Sequence, residues 1–155
     1  MEILICAYSR NGSDATETGG SSLEERVVNW IDDIANYLQT NNIGTLGTDI
    51  FISGFDKRIP NCITLFNQPG QYDIVTLSND QVMHRPEFGV RVRNLDDVTA
   101  ESKAIDIYLL LNLLSNCIIG STRFKKITAV SPPFFLEKDD NDRYVYSINF
   151  SLEIG

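Results

Sequence analysis

YVYSINFSLEI, residues 144–154, is the stretch of sequence that decides the fold. Large apolar side chains occupy every second position of it, and most of the positions between them are polar. That two-residue period is typical of a β-strand buried on one face. The polar run DDND, residues 139–142, comes just before it. The stretch therefore predicts a long final strand, joined by a polar hairpin tip to the strand before it.

A second alternating stretch, EFGVRVR at residues 87–93, predicts another half-buried strand of an antiparallel or mixed sheet. Phe88, Val90 and Val92 would face the core, and Arg91 and Arg93 would face outward. Shorter strands are predicted at residues 48–55, 62–66 and 126–130. The NQPG run at residues 67–70 predicts a turn, and residues 72–83 read as a polar connection.

Two helices interrupt these strands. Apolar residues recur at helical spacing through residues 23–40, where Ser22 and Glu25 form a capping-box pattern. A second helix is predicted from a cap at Asp96 or Asp97 to about Cys117, with Gly120 closing it. Its second half is nearly all apolar, more than one core-facing stripe requires, so it is either central to the core or buried against another chain.

No strand–helix–strand crossover repeats along the chain. The sequence therefore predicts one α+β domain over residues 23–155, a mixed, mostly antiparallel β-sheet with two helices packed on one face. Residues 1–22 read as a flexible N-terminal arm and linker, because the strand-like EILICAY at residues 2–8 is followed by Gly, Ser, Thr and Asp. Such an arm would pack on a neighbouring subunit or become ordered only in an assembly.

Composition limits the function. A chain of 155 residues, 43% of them hydrophobic, can hold one core without a disulfide or metal. With 13 basic and 21 acidic residues the net charge is −8, which argues against tight binding to a phosphate backbone. No apolar run is long enough to span a bilayer and the first eight residues are too short for a signal peptide, so the sequence predicts a soluble, non-secreted protein.

Residues for catalysis are few. The three cysteines are widely spaced, His84 is the single histidine, and no spacing suggests a metal site, so an enzyme is disfavoured and no cofactor is expected. Asp139, Asp140 and Asp142 fit a solvated turn better than a calcium loop. The remaining candidates, for subunit or partner interfaces, are Arg91, Arg93, Phe134, Phe135, Asp139, Asp140, Asp142 and Arg143.

One alternative of a different class comes from residues 3–13, ILICAYSRNGS. An apolar strand running into a hydroxyl- and Gly-rich loop is how a flavodoxin begins, with the loop holding the phosphate of FMN at a helix N-terminus. The next predicted helix starts well beyond this loop, and the later chain lacks the alternation of a doubly wound sheet. An FMN-binding carrier is therefore the weaker interpretation.

Taken in order, several motifs resemble the tail terminator proteins of long-tailed phages, also called tail-completion or minor capsid proteins. These motifs are PNCITLF at residues 60–66 followed by Pro69-Gly70, RPEFGVRVR at residues 85–93, Ala104, PPFFL at residues 132–136, Asp139, Arg143, and SINF at residues 147–150. The similarity covers about residues 27–152. The arm and residues 72–83 depart from it.

The resemblance implies a structural protein of the virion, assembled in the host cytoplasm and placed at the head–tail interface. Its copies would form a ring, typically a hexamer, that caps the head-proximal end of the tail tube, stops tube polymerisation and docks onto the head connector. Partners would be the tail tube protein, the connector or neck protein, and viral DNA that crosses the lumen without specific binding. Candidate contacts are the hairpin tip at residues 139–143, the loop at residues 72–85 and the arm at residues 1–22. Another neck or connector protein of the same assembly is the alternative.

Overall fold

The structure is a computed structural model that describes residues 4–5, 30–54, 56–75 and 82–155. Residues 6–29, which include the linker, the capping box and most of the flavodoxin-like motif, lie outside the described residues. The elements in chain order are β1 (Leu4–Ile5), α1 (Trp30–Thr40), β2 (Ile50–Ile52), β3 (Cys62–Val75), β4 (Val82–Asn94), α2 (Asp97–Leu111), β5 (Leu114–Ile119), β6 (Thr122–Ala129), β7 (Phe134–Lys138) and β8 (Tyr144–Ile154).

The described strands form one sheet in the order β1-β5-β6-β8-β4-β3-β2, and β7 also pairs with β8. The two outermost pairings, β1 with β5 and β2 with β3, are parallel, and the other five are antiparallel. The predicted α+β class with a mixed, mostly antiparallel sheet is confirmed. The alternating final strand is β8, and it lies in the middle of the sheet.

Strands β6 and β7 run in the same direction along one edge of β8. Ala129 pairs with Phe150 at the end of β6, and Phe134 pairs with Ser147 at the start of β7. Pro132-Pro133 lies between them, where two residues without an N–H group cannot continue the ladder. β7 and β8 then form the predicted hairpin around residues 139–142.

The core is built on paired aromatic residues of β4 and β8. Phe88 pairs with Phe150, and their rings stack at 5.0 Å, while Trp30 of α1 lies 5.6 Å from Phe88. Ile34 of α1 and Ile107 of α2 enter the same buried cluster. Both helices therefore contribute to one core; that they cover the same face of the sheet stays a prediction.

The connection between β3 and β4 was wrongly predicted. Both strands continue much further than expected, so the NQPG run is part of β3 and not a turn, and most of residues 72–83 that the structure describes are strand. The pairing of β3 with β4 has register shifts on both sides of Gln71, which are β-bulges or similar irregularities. A Cβ atom on Gly70 would come within 2.6 Å of the Arg85 carbonyl oxygen, so glycine permits this close pairing.

The second helix begins as predicted and ends earlier. The Asp96 side chain caps it by accepting a hydrogen bond from the Thr99 backbone at 2.9 Å. It ends at Leu111 and not near Cys117, because Leu113 takes a positive φ of 66° and Leu114–Ile119 pairs with β6. Gly120 therefore serves the β5–β6 turn. Among the described residues, no helix has both the length and the apolarity to cross a membrane.

Candidate interaction surfaces

The β7–β8 hairpin tip is organised by one carboxylate. Asp139 accepts backbone hydrogen bonds from Asn141 at 3.0 Å and Arg143 at 2.9 Å, and the Arg143 Nε group at 2.7 Å. Burial opposes its ionisation, yet these donors outweigh burial and hold the pKa of Asp139 below its ordinary value. Asp140 and Asp142 are exposed beside it, so they form the part of the tip that a partner can reach.

Two of the predicted interface arginines are buried. Arg93 was expected to face outward, but residues 56–60 cover that side of β4, and its guanidinium donates to the carbonyl oxygens of Asp56 and Ile59, each at 2.6 Å. Arg143 donates to the Lys57 carbonyl oxygen at 3.0 Å. Both side chains therefore hold residues 56–59 against the sheet through hydrogen bonds to backbone carbonyl groups. The expectation that Arg93 faces outward is wrong.

Arg91 does face solvent. Its guanidinium lies 4.7 Å from the centre of the Phe66 ring, a cation–π contact across β3 and β4. The Phe66 ring covers the backbone at Gly89, where a Cβ atom would overlap it. Arg91 is thus presented on a fixed aromatic support, and its role in an interface stays a prediction.

Strand β7 presents the predicted aromatic pair. Phe134 is 39% exposed and Phe135 is 53% exposed, although Phe135 also packs edge-on against Tyr146 at 5.6 Å. The Tyr146 hydroxyl donates to the Asp97 carboxylate at 2.6 Å; this bond, with burial, raises the pKa of Tyr146 to about 12. Of the described strands, only β8 pairs with β7, which leaves one backbone edge of β7 open.

Helix α2 presents a further apolar surface. Its buried side carries Ala104, Ile107 and Leu111, whereas Val98, Ile105 and Leu109 are exposed. Spacings of seven and four residues place these three on a single stripe, opposite the buried side. The excess of apolar residues in the sequence indicated that such a surface exists. Which residues form it depends on which side of the helix faces the core, and the structure gives that.

Strands β3 and β4 form a further surface at residues 72–85, which were predicted to be a loop and a candidate contact with a partner. The described part of this stretch is strand, and its role as a contact stays a prediction. Tyr72 is 95% exposed, and Val75 and Val82, which pair with each other, are exposed as well. His84 Nδ1 lies 3.0 Å from the Asp73 carboxylate on the neighbouring strand. Exposed apolar side chains on these two strands are a place where contact with another chain is expected.

Sites for small-molecule chemistry are not prominent. No group of three or more His, Cys, Asp or Glu side chains suited to a metal occurs in the part of the chain that the structure describes. A cavity of about 40 Å³ between Asn61, Cys62 and Arg93 has room for one or two water molecules. Burial raises the pKa of the Cys62 thiol there. The mostly antiparallel sheet is not the doubly wound sheet of a flavodoxin.

Comparison with known proteins agrees with this description. The bacteriophage tail terminator protein family matches residues 37–154, most of the chain. The chain belongs to this family. This tail terminator is accordingly a structural protein of the phage virion, and the resemblance found in its sequence motifs is confirmed.

Two solved structures share the fold of the tail terminator at low sequence identity. One is a chain in the virion of a native gene transfer agent particle, with a TM-score of 0.53 and 12% identity over 70% of this chain and 79% of that one. Another has a TM-score of 0.52 and 11% identity over 88% of this chain and 97% of that one. No curated protein matches the sequence.

Proposed function

We propose that copies of this chain form a closed ring, a hexamer, that caps the head-proximal end of the tail tube. The family match over residues 37–154 carries this proposal. The ring stops tube polymerisation sterically, because one face fits the last ring of the tube and the other presents a surface that the tube protein cannot extend. That second face then docks onto the head connector.

The distribution of exposed apolar groups supports such a role. Exposed apolar side chains occur in groups on β3 and β4, on α2 and on β7. Grouped apolar residues of this kind are typical of contacts with other chains. A ring subunit at a junction needs contacts with two neighbouring copies, a tube and a connector. Several separate surfaces therefore suit it better than one central pocket.

The charge of the chain fits a channel for DNA. A net charge of −8 gives a ring that repels the phosphate backbone, so DNA passes through the lumen without being held. The similarity to a chain in a gene transfer agent virion supports a place in the particle itself. The position at the head–tail interface is proposed from the family match.

The experiment that tests the proposal combines the purified chain with tail tubes of the same virus and, separately, with connector-bearing heads. Electron microscopy should show one ring at a single end of each tube, and capped tubes should bind heads where bare tubes do not. Rings on connectors but never on tubes would instead assign the chain to the neck. Absence of any ring on either particle would overturn the proposal.

Within this assay the hairpin tip is tested by Asp140→Asn combined with Asp142→Asn. These changes leave the Asp139–Arg143 network intact, and asparagine tolerates the positive φ of 59° at residue 142. Deletion of residues 139–142 is a poorer test, because it would remove the carboxylate that Arg143 contacts. We expect the double variant to melt like the parent and to dock more weakly to the tube or connector. Asp32→Asn on the exposed side of α1 is the matched control. Unchanged docking by the double variant would exclude the tip.

A further inference from the structure

Strand β6 carries a compact basic surface. Arg123, Lys125 and Lys126 are three of the 13 cationic residues of this acidic chain. Phe124 and Ile127 of the same strand are buried in the core cluster. The register shift between Phe124 and Lys126 absorbs Lys125 as an extra residue. Strand alternation on either side of the shift therefore directs Arg123 and Lys126 away from the core cluster, and both are exposed.

These cations are not neutralised within the described part of the chain. None of the ion pairs found there within 4.0 Å involves Arg123, Lys125 or Lys126. Lys126 has Ser115 and Glu153 as its cross-strand neighbours, so a single carboxylate lies near it. The surface retains net positive charge, and the aliphatic stems of Arg123 and Lys126 give it an apolar component.

The exposed side of α2 has the opposite character. The stripe of Val98, Ile105 and Leu109 runs along it, and Glu101 and Asp106 are exposed as well. At 100° per residue these two acids fall on either flank of the stripe. The nearest cation of the helix, Lys103, points elsewhere, because its Nζ donates to the Ile43 carbonyl oxygen at 2.9 Å. The α2 surface is therefore apolar with an acidic rim.

The two surfaces lie on opposite sides of the molecule. The buried side of α2 and the buried side of β6 enter the same core cluster, so the exposed side of each faces away from the other. One molecule cannot bring them together, and a two-fold contact of either surface with itself would oppose like charges. A head-to-tail contact matches acid with base, and it is the type of contact from which closed rings are built.

We infer that the α2 surface of one copy docks on the β6 surface of the next copy around the ring. Glu101 and Asp106 face Arg123 and Lys126 of the neighbour, and the apolar stripe packs on the stems of those cations. The inference rests on the proposed ring and adds which surfaces meet. Because charged groups set the register, ring formation weakens as salt rises.

Charge reversal tests this contact. One variant carries Glu101→Lys with Asp106→Lys, and a second carries Arg123→Glu with Lys126→Glu. They change the net charge in opposite directions, yet each should raise the concentration needed for rings on tube ends at least about tenfold. Asp32→Lys, a reversal on α1, should leave that concentration unchanged. Thermal melting establishes that each variant is folded.

Mixing the two charge-reversal variants gives the decisive measurement. In an equimolar mixture of the two variants every contact of an alternating ring is again acid against base, so rings should return although neither variant forms them alone. One chain with all four substitutions should also form rings. The inference would be overturned if either variant alone formed normal rings, or if mixing the two folded variants did not restore rings. In both cases rings formed by the wild-type chain would still support the proposed function.

Discussion

Gly120 is a position where one added methyl group should cost much of the stability of the fold. It lies in the β5–β6 turn with a φ of 61°, and its Cα faces the Asp33 carboxylate of α1 so closely that a Cβ atom would overlap it. Asp33 is buried and accepts hydrogen bonds from the Thr122 hydroxyl at 2.6 Å and from the backbone and hydroxyl of Ser121 at 3.3 Å. Gly120→Ala must displace this carboxylate.

The magnitude follows from two separate costs. A non-glycine residue in the left-handed region costs about 1–2 kcal/mol. Displacing a buried carboxylate from its donors adds about 3 kcal/mol, at the lower end of what an uncompensated buried charge costs. Gly47→Ala isolates the first cost, because Gly47 has a φ of 87° and nothing within 4 Å of its Cβ position.

Urea unfolding of the two variants measures the difference. We expect Gly120→Ala to lose about 3 kcal/mol more free energy of unfolding than Gly47→Ala, which for a chain of this size is about 6–12 °C in Tm. Asp33→Ala removes the carboxylate that the new Cβ atom would overlap. In a chain that already carries Asp33→Ala, Gly120→Ala should therefore cost only the backbone strain of the left-handed conformation. Equal losses in Gly120→Ala and Gly47→Ala would refute the reasoning.

Three further predictions concern polar contacts. Arg143→Met removes the hydrogen bonds to Asp139 and to the Lys57 carbonyl oxygen and should cost about 2–4 kcal/mol in urea unfolding; an unchanged midpoint would contradict it. Folding lowers the pKa of Asp139, so its ionised carboxylate adds fully to the free energy of unfolding when the pH is above the pKa of the unfolded state. This stabilisation is lost as the pH falls through the pKa of the folded state. Asp139→Asn should therefore make the free energy of unfolding depend less on pH in acid. Folding raises the pKa of Tyr146 from 10.0 to about 12, so its contribution is present below pH 10 and is lost as the pH rises toward 12. Tyr146→Phe should remove that alkaline decline and cost about 1 kcal/mol at neutral pH, and a decline that persists would exclude this source.

The central strands could be predicted because their signal is local. In β8 and in residues 87–93 the alternation of apolar and polar side chains matches a sheet with one buried face, and the structure has both strands. The Asp96 cap was likewise predictable, because it depends on a side chain and a backbone group three residues apart.

Other features depend on distant parts of the chain. Leu114–Ile119 could be a buried helical turn or a strand, and pairing with β6 decided it. Pro69 and Gly70 are typical of a turn, but β4 lies close enough to continue the ladder past them. Arg93 alternates like an exposed residue and is covered by residues 56–60, which no local pattern indicates.

Interaction surfaces were predictable only in part. The aromatic residues of β7 and the acidic hairpin tip could be singled out because they are conspicuous in the sequence. The α2 stripe was indicated by an excess of apolar residues, while the basic surface of β6 needed the register shift that turns Arg123 and Lys126 to one side. Surfaces that join elements far apart in sequence become visible only once the sheet order is known.

The most direct test of the tail terminator function is the length of tail tubes growing from purified tube protein. After the chain is added, the account predicts that lengthening stops at the capped end and that each arrested tube carries one ring there. The variant with Glu101→Lys and Asp106→Lys, added at the same concentration, should leave growth running. Tubes that lengthen at the same rate with and without the wild-type chain would contradict the account.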